Sequence, residues 1–480
     1  MRLIGNVEED AQVRAVASGA LANGDTVVVN SDGTVSVVAS TPAGGGTPVV
    51  FESADTTYTS ATFDSNSNKV VIAYRDVENS NYGTAVVGTV SNTSISFGTP
   101  VVFEAASSVF ISATFDSNSN KVVIAYRDAG NSNYGTAIVG TVSGTSISFG
   151  TAVVFVSTRC DYPSATFDSN SNKVVIAYWA QSSNSGTAIV GTVSGTGISF
   201  GTPVAYNSGG YTGWNSAVFD SNSNKVVIAY RDGGNSNYGT AIVGTVSGTG
   251  ISFGSEVVFE SVAVTAISAV FDSNSNKVVI AYANSSAGSQ FGTTIVGTVS
   301  GTGISFGTAV VFENANTTYI SAVFDSSSNK VIISFDDSNN SDYGTAVIGT
   351  VSGTGISFGD AVVFESAAVQ FLFSTFDSNA NKVVISYRDT GNSNYGTAVV
   401  FSQASTNLTA ENFLGFAAHT YADTQSAVIN STCTVDRNQS GLTAGQTYYV
   451  QTDGSLGTTA ADPSVVAGTA ISSTEIIVKG

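Results

Sequence analysis

The sequence predicts an all-β fold built from a repeated unit. The tripeptide Phe-Asp-Ser occurs seven times, at a spacing of 52 residues with one step of 53. Each copy contains four short runs rich in β-branched residues and shows no 3.6-residue helical period. Four antiparallel strands in about 50 residues is the size of one propeller blade, so the repeats predict a seven-bladed β-propeller. The repeated aspartates are Asp64, Asp116, Asp168, Asp220, Asp272, Asp325 and Asp377.

The second copy shows the four predicted strands in order. Residues 112–116 lead through a Ser-Asn-Ser-Asn turn into residues 121–126, a continuous apolar run that suits a strand covered on both faces. Residues 135–142 and 147–155 follow as the third and fourth strands, separated by a Ser-Gly-Thr-Ser turn. Stacked face to face, each blade would cover the apolar face of the next.

The two ends of the repeat region indicate how the ring closes. The fourth-strand pattern Val-Val-Phe first occurs at residues 49–51, ahead of the first Phe-Asp-Ser. After the last copy no fourth strand follows, because residues 398–401 run directly into Ser402. We therefore expect the spare strand at the start to complete the seventh blade.

The segments outside the repeats are expected to fold together. Residues 1–42 and 402–480 lack the repeat, and each carries a strand-turn-strand pattern with a tight Asp-Gly turn, at Asp32 and at Asp453. A closed ring brings its chain ends together, so these flanks predict one split β domain into which the propeller of residues 43–401 is inserted.

Composition and charge exclude several classes of function. The chain has 16 Lys and Arg against 35 Asp and Glu, a net charge of −19, so nucleic acid is not an expected partner. It has no apolar run of 18 residues, so membrane insertion is not expected, and residues 1–9 lack the pattern of an export signal. His419 is the only histidine and lies in the split β domain, so we expect neither a His-based triad nor a His-rich metal cluster. We expect no metal, no cofactor and no catalytic residues.

The flanks resemble the ends of virion structural proteins of marine tailed bacteriophages. The resemblance is carried by residues 20–30 and 33–38 at one end, and by residues 441–454, 463–470 and 476–480 at the other. The propeller repeat is similar to repeats in the same kind of phage protein. The resemblance implies a tail fibre, appendage or head decoration that is assembled in the host cytoplasm and released by lysis. Its implied partners are other virion proteins, bound through the split domain, in a homo-oligomer.

Comparison of the seven copies separates the two faces of the predicted ring. The turns between first and second strands and between third and fourth strands barely vary, whereas the other two connections vary strongly. Aromatic residues and arginines recur at the varying end, and such groups together bind sugars. The predicted ligand-binding residues are Tyr58, Phe110, Tyr162, Tyr211, Trp214, Tyr319, Phe371, Arg75, Arg127, Arg231 and Arg388. The alternative is structural: the aromatics fill gaps between blades, and each arginine pairs with its neighbouring aspartate.

Two further possibilities have weaker support. The Asp-x-Asn-x-Asn turn that starts at Asp64 resembles half of a calcium loop, but Lys69 stands where glycine should be, and a capped hairpin turn explains it better. A glycosidase could use paired carboxylates such as Glu52, Glu104 or Asp336, but the Ser-x-Asp-x-Gly-x-Thr-Trp box of sialidase-type propellers is absent. We therefore expect a non-enzymatic surface protein, with a glycan-binding propeller face as the first hypothesis and a decoration without a ligand as the alternative.

Overall fold

The chain divides into two compact units. One is Gly44–Ser402, and the other combines the N-terminal segment up to Ala43 with the C-terminal segment from Gln403 onward. The computed structural model describes residues 11–285 and 289–479, so the expectation about an export signal in residues 1–9 lies outside the described residues. The described ranges include a 3₁₀ turn at Ser338–Asn340, and no helix within them is long and apolar enough to cross a membrane.

The unit formed by Gly44–Ser402 consists of seven four-stranded antiparallel blades. The fourth strand of one blade continues into the first strand of the next at Val49–Asp64, Val101–Asp116, Val153–Asp168, Val257–Asp272 and Val362–Asp377. At two positions this long strand is interrupted, giving Val204–Asn207 with Thr212–Asp220, and Val310–Asn316 with Ile320–Asp325.

The remaining strands of the blades are shorter and regular in length. The second strands are Lys69–Asp76, Lys121–Asp128, Lys173–Ala180, Lys225–Asp232, Lys277–Asn284, Lys330–Asp337 and Lys382–Asp389. The third strands are Tyr82–Ser91, Tyr134–Ser143, Ser185–Ser194, Tyr238–Ser247, Phe291–Ser300, Tyr343–Ser352 and Tyr395–Ser402. Short outer segments precede the long strands at Gly44–Gly45, Ser94–Phe97, Ser146–Phe149, Gly197–Phe200, Gly250–Phe253, Gly303–Phe306 and Gly355–Phe358.

The N-terminal strand of this unit closes the ring. Val49 lies opposite Ala398 and Gly45 lies opposite Phe401, both on the third strand of the seventh blade. The first strands of neighbouring blades contact each other all the way round, including the seventh with the first. The predicted all-β, seven-bladed propeller with its N-terminal closing strand is therefore confirmed.

The apolar core lies between the blades. Residues 70–74 of the first blade are fully buried, as expected for a continuous apolar strand covered on both faces. Each core cluster joins two blades; in one of them Val71 of the first blade packs with Val122 and Ile124 of the second. Because burying one such side chain is worth about 1.5–3 kcal/mol, the stacking of blades is the main source of stability.

Serine hydroxyls connect the innermost strands around the axis. The backbone N–H of Ala113 donates to the Ser60 hydroxyl of the preceding blade at 3.0 Å. The same bond recurs from Ala165 to Ser112, Ala217 to Ser164, Ala269 to Ser216, Ala322 to Ser268 and Ser374 to Ser321. At the closing interface the serine is replaced by Phe373, which packs into the apolar cluster around Phe51 and Ile72.

The second unit takes strands from both ends of the chain. One sheet has the strand order Gln12–Val16, Ser426–Asn430, Phe413–Ala417, Thr26–Val29 and Val35–Val37. The other has the order Val435–Asp436, Ile476–Val478, Val465–Ala470, Thr447–Val450 and Leu456–Gly457, and Ser40–Thr41 pairs separately with Ser405–Thr406. Both Asp-Gly turns close hairpins, with Val29 opposite Val35 and Val450 opposite Leu456. Their buried side chains form a common core that includes Phe416 and Ile476.

Candidate functional site

The arginines and the lysines of the propeller lie on opposite faces. We call the face that carries the second-to-third and fourth-to-first connections the variable face. All five arginines of residues 44–402 lie on it, whereas the seven lysines begin the second strands at the opposite face. The arginines are Arg75, Arg127, Arg159, Arg231 and Arg388. A guanidinium is therefore available only at the variable face, on a chain that is acidic overall.

A ring of aromatic side chains surrounds the axis at this face. We call it the collar, and its members are Tyr58, Phe110, Tyr162, Trp214, Tyr319 and Phe371, all half-buried. The equivalent residue of the fifth blade is Ala266, so the collar has one gap. The collar borders a cavity of about 410 Å³ that is lined by the first strands of all seven blades.

A backbone irregularity turns the collar side chains toward the axis. The pairing of the first strand with the second skips residues between Thr57 and Ser60, and the same shift recurs between Gly213 and Ser216. Within these bulges Tyr58 has a φ of 54° and Trp214 a φ of 47°, in the left-handed region. A non-glycine residue there costs on the order of 1–2 kcal/mol. The bulge is a feature of the repeat, because Ala266 has a φ of 49° at the same place, whereas Tyr319 directly precedes a strand that pairs without this shift.

Consecutive collar rings touch each other. The ring centroids are 5.2 Å apart for Tyr58 and Phe110, 4.3 Å for Phe110 and Tyr162, and 5.2 Å for Tyr162 and Trp214. Phe371 completes the series, at 5.2 Å from Tyr58 and 5.1 Å from Tyr319. These spacings are typical of tilted and edge-to-face aromatic pairs, so the collar is one continuous apolar surface that is open only beside Ala266.

Three arginines stack on the collar. The guanidinium carbon lies 4.9 Å from the ring centre of Tyr58 for Arg75, 4.7 Å from that of Phe110 for Arg127, and 5.1 Å from that of Trp214 for Arg231. These are cation–π distances. The structure therefore brings together the aromatic and cationic residues that the sequence singled out, as layers of one surface.

The arginines differ in their polar partners. Arg127 forms an ion pair with Asp161, and Arg388 donates to Asp55 at 3.0 Å and to Gln370 at 2.6 Å. Among the residues that the structure describes, Arg75 donates only to the Thr57 hydroxyl, at 2.8 Å. None of the described residues accepts a hydrogen bond from Arg231, whose Nε is buried.

The neighbouring aspartates have a different role from the expected one. Asp76, which follows Arg75, accepts a hydrogen bond from the backbone N–H of Asn79 at 3.1 Å and so caps its own loop. The carboxylates that do pair with arginines come from the connection to the next blade around the ring, as Asp161 does for Arg127. The structural alternative of pairing between sequence neighbours is therefore wrong.

Tyr211 extends the collar outward at the fourth blade. Its ring lies 6.3 Å from Tyr162 and 4.9 Å from Trp179. Trp179 occupies the position that holds arginine in four other blades, and it was not among the predicted ligand-binding residues. Its deviation from the repeat, next to another variable aromatic, is the signal that could have identified it.

The Asp-x-Asn-x-Asn turns are capped hairpins. The Asp64 carboxylate is 2% exposed and accepts hydrogen bonds from the backbone N–H groups of Asn66 at 2.9 Å and Ser67 at 3.0 Å. The same pair of bonds recurs at the other repeated aspartates. Among the described residues, no group of three or more His, Cys, Asp or Glu side chains is placed to hold a metal ion.

The carboxylates considered for a glycosidase each have hydrogen-bond partners. Glu52 and Glu104 accept from the buried hydroxyls of Tyr74 and Tyr126, both at 2.8 Å. Burial raises the pKa of both glutamates, and the tyrosine hydrogen bonds oppose that rise. Asp336 accepts from the backbone N–H of Thr318 at 2.6 Å and from its hydroxyl at 2.7 Å, and burial raises the pKa of this carboxyl as well.

Comparisons with known proteins find similarity in structure only. No family model matches the chain, and no curated protein matches it in sequence. A protein from Lactobacillus plantarum is similar at 10% identity and a TM-score of 0.49, covering 74% of this chain and 97% of that one. The periplasmic gluconolactonase of Pseudomonas aeruginosa is similar at 9% identity and a TM-score of 0.47, with the same coverage. Sqt1 from Chaetomium thermophilum is similar at 10% identity and a TM-score of 0.44, covering 72% of this chain and 85% of that one.

These similarities correct one expectation. The prediction that the chain is not an enzyme is wrong as an exclusion, because the similar structures include a gluconolactonase. A single histidine and a missing sialidase box rule out particular mechanisms, and they do not rule out catalysis on a propeller. At 9–10% identity and TM-scores below 0.5, the likeness transfers no reaction to this chain.

Proposed function

We propose that this protein is a surface-attachment protein whose propeller binds a glycan on the collar. The observation that carries the proposal is the collar itself: six half-buried aromatic rings in mutual contact around an axial cavity. Sugar rings present apolar C–H faces that stack on such surfaces, and nearby planar donors fix their hydroxyl groups. The stacked arginines supply these donors at the same face.

The collar aromatics differ from the aromatics that fill the blades. Phe51 and Tyr74 pack against each other at 5.1 Å inside the inter-blade core, where Tyr74 is completely buried. A tyrosine or phenylalanine at the Tyr74 position exists in every blade, so the gaps between blades are filled without the collar. Half-exposed aromatics in contact with one another at an open face are better explained by a ligand than by packing.

The proposal also assigns the protein to a phage particle. The resemblance to phage virion proteins favours the split β unit as the part that joins other virion proteins; it is carried by residues 20–30, 33–38, 441–454, 463–470 and 476–480. Self-association of this unit would give a homo-oligomer that presents several propellers at once. The alternative is a head or tail decoration whose propeller has no ligand, and the same experiment separates the two.

Glycan binding by the full-length protein tests the proposal. Wild type and the double variant Tyr211→Ala/Trp214→Ala would be applied to a glycan array and to whole marine bacterial cells. We expect saturable binding by wild type and its loss in the double variant. The matched control Tyr211→Phe/Trp214→Phe keeps both rings and should retain most of the binding, and Tyr449→Ala, in the other unit, should retain all of it.

Two outcomes would overturn the attachment proposal. Equal binding by wild type and the alanine variant would place the glycan away from the collar. No binding to any glycan or cell by a folded wild-type protein would favour the decoration alternative. Each bound sugar would also be recovered and examined for chemical change, so that turnover is detected if it occurs.

A further inference from the structure

We propose that the ligand of the collar is an acidic sugar, whose carboxylate is bound by Arg231 with Arg75 as a second cationic contact. This inference rests on the proposed function and specifies its ligand class. It comes from the distribution of charge around the collar. Of the four arginines beside the collar, Arg127 and Arg388 form ion pairs with aspartates of the protein, whereas Arg75 and Arg231 do not.

Sequence differences between the blades explain which arginines lack a carboxylate. Arg127 and Arg388 each reach an aspartate in the connection that leads to the next blade, Asp161 and Asp55. The corresponding connections beside Arg75 and Arg231 are residues 105–109 and 261–265, which read Ala-Ala-Ser-Ser-Val and Ser-Val-Ala-Val-Thr. Neither segment contains an acidic residue, so these two cations have no ion-pair partner among the described residues.

The residue that lies opposite each arginine on the first strand also differs in whether it can accept a hydrogen bond. Thr57 lies opposite Arg75 and accepts its hydrogen bond at 2.8 Å. Gln370 lies opposite Arg388 and accepts from it at 2.6 Å. Gly213 lies opposite Arg231 and has no side chain to offer. Arg231 is thus the arginine whose hydrogen-bonding capacity is least used within the protein.

Arg231 is nevertheless held in a defined place. Its guanidinium lies over the Trp214 ring, 5.1 Å from the ring centre, and its Nε, like those of Arg127 and Arg388, is buried without a hydrogen-bond partner. Its positive charge also reaches Tyr162 and Tyr211, because it opposes the rise in pKa that burial causes in both hydroxyls. Arg231 is half-buried and has no ion-pair partner among the described residues, so an incoming carboxylate could form two parallel hydrogen bonds with its guanidinium.

The other unpaired arginine adds to the positive potential. Burial lowers the pKa of Arg75; the charges of Tyr58 and Asp55 oppose that fall, and the charges of Arg127 and Arg388 add to it, so the cations of this face act on one another. The ring faces of Tyr162 and Trp214 would hold a sugar beside Arg231, and the gap at Ala266 leaves room next to Trp214. A planar carboxylate suits the guanidinium fork better than a hydroxyl group does.

A matched pair of oligosaccharides tests this inference. Calorimetry on the full chain would compare an oligogalacturonate with the oligogalactose of the same length and linkage, and a sulfated oligogalactose as a third probe. We expect wild type to prefer the galacturonate by about tenfold or more, as one charge-assisted hydrogen-bonded pair provides. Arg231→Gln should lose that preference and bind the galacturonate and the neutral sugar with affinities within about twofold of each other.

The outcomes separate this inference from the attachment proposal. The control Lys225→Gln removes a charge at the opposite face of the same blade and should leave the preference unchanged. Equal affinity of wild type for acidic and neutral sugars would overturn the inference and leave glycan attachment standing. A sulfated sugar that binds as tightly as the carboxylated one would overturn the carboxylate assignment. Failure of all sugars, with no glycan bound on the array, would instead overturn the proposed function.

Discussion

A single methyl group at a blade interface should be enough to destabilise the propeller. A Cβ atom on Gly150 would lie 1.9 Å from the carbonyl oxygen of Thr196, in the next blade's turn between third and fourth strands. Ordinary contact begins near 3.4 Å, so the two blades would have to separate locally by about 1.5 Å. Overpacking of this kind typically costs about 1–3 kcal/mol, and we expect Gly150→Ala to lower stability by that amount.

Gly359 provides a matched control in the same repeat position. It would face the seventh blade, which has no turn between third and fourth strands because its fourth strand comes from the N-terminus. A Cβ at Gly359 meets nothing within 4 Å. Gly359→Ala should therefore be neutral or stabilising by up to about 1 kcal/mol, through the reduced freedom of the unfolded chain.

Guanidinium denaturation of the two alanine variants and wild type provides the assay. The change in the unfolded chain is the same in both variants, so the difference between their midpoints isolates the contact with Thr196. We expect Gly150→Ala to unfold at the lowest denaturant concentration and Gly359→Ala at or above wild type. Equal midpoints for the two variants would refute the assigned blade stacking.

Three further predictions concern the polar groups of the propeller. The Tyr178 hydroxyl is buried and has no hydrogen-bond partner among the described residues, because Val156 stands at a position that holds glutamate in five other repeats. Val156→Glu should therefore raise the free energy of unfolding by about 1 kcal/mol, and an unchanged denaturation midpoint would refute the Tyr–Glu pairing. Burial raises the pKa of Glu52, Glu104 and Glu365 above their ordinary value of 4.5, so the folded state binds more protons than the unfolded state just above that pH. The free energy of unfolding should therefore rise as pH falls toward 4.5, and replacing all three glutamates by glutamine should weaken this pH dependence. A lower melting temperature at pH 5 than at pH 8, at constant ionic strength, would contradict the prediction. Because the repeated turn aspartates are occupied by backbone N–H groups, neither calcium nor EDTA should change the melting temperature, and a calcium-dependent rise would show that these turns bind the ion.

The sequence repeat made the propeller fold predictable, whereas the pairing of arginine and aspartate side chains could not be predicted from the sequence. Phe-Asp-Ser and the apolar second strand recur with so little variation that strand number, blade size and the closing strand could all be inferred from one chain. The pairing of Arg75 with Asp76 could not hold, because consecutive residues of a strand point to opposite faces. The partner of Arg127 is Asp161, 34 positions along the chain, a contact that depends on how two blades stack.

The collar shows a second limit of prediction. The spacing of the aromatics from the repeated phenylalanine identified the residues, including Tyr58 and Trp214, but their direction depends on a bulge with left-handed φ values. Nothing in Thr57-Tyr58-Thr59 signals such a bulge, since non-glycine residues rarely adopt it. The exclusion of catalysis failed for a different reason: missing motifs argue against particular mechanisms and leave the fold's other chemistry open.

The two tryptophans of the chain allow the most direct test of the collar as a glycan site. Trp214 belongs to the collar and Trp179 contacts its extension at Tyr211, so Trp179→Phe leaves Trp214 as the only tryptophan. Fluorescence of this variant would be titrated with the glycan that binds best on the array. We predict a saturable change in Trp214 emission, at the concentration that half-saturates binding measured by calorimetry. Full binding with no change in Trp214 emission would contradict the account.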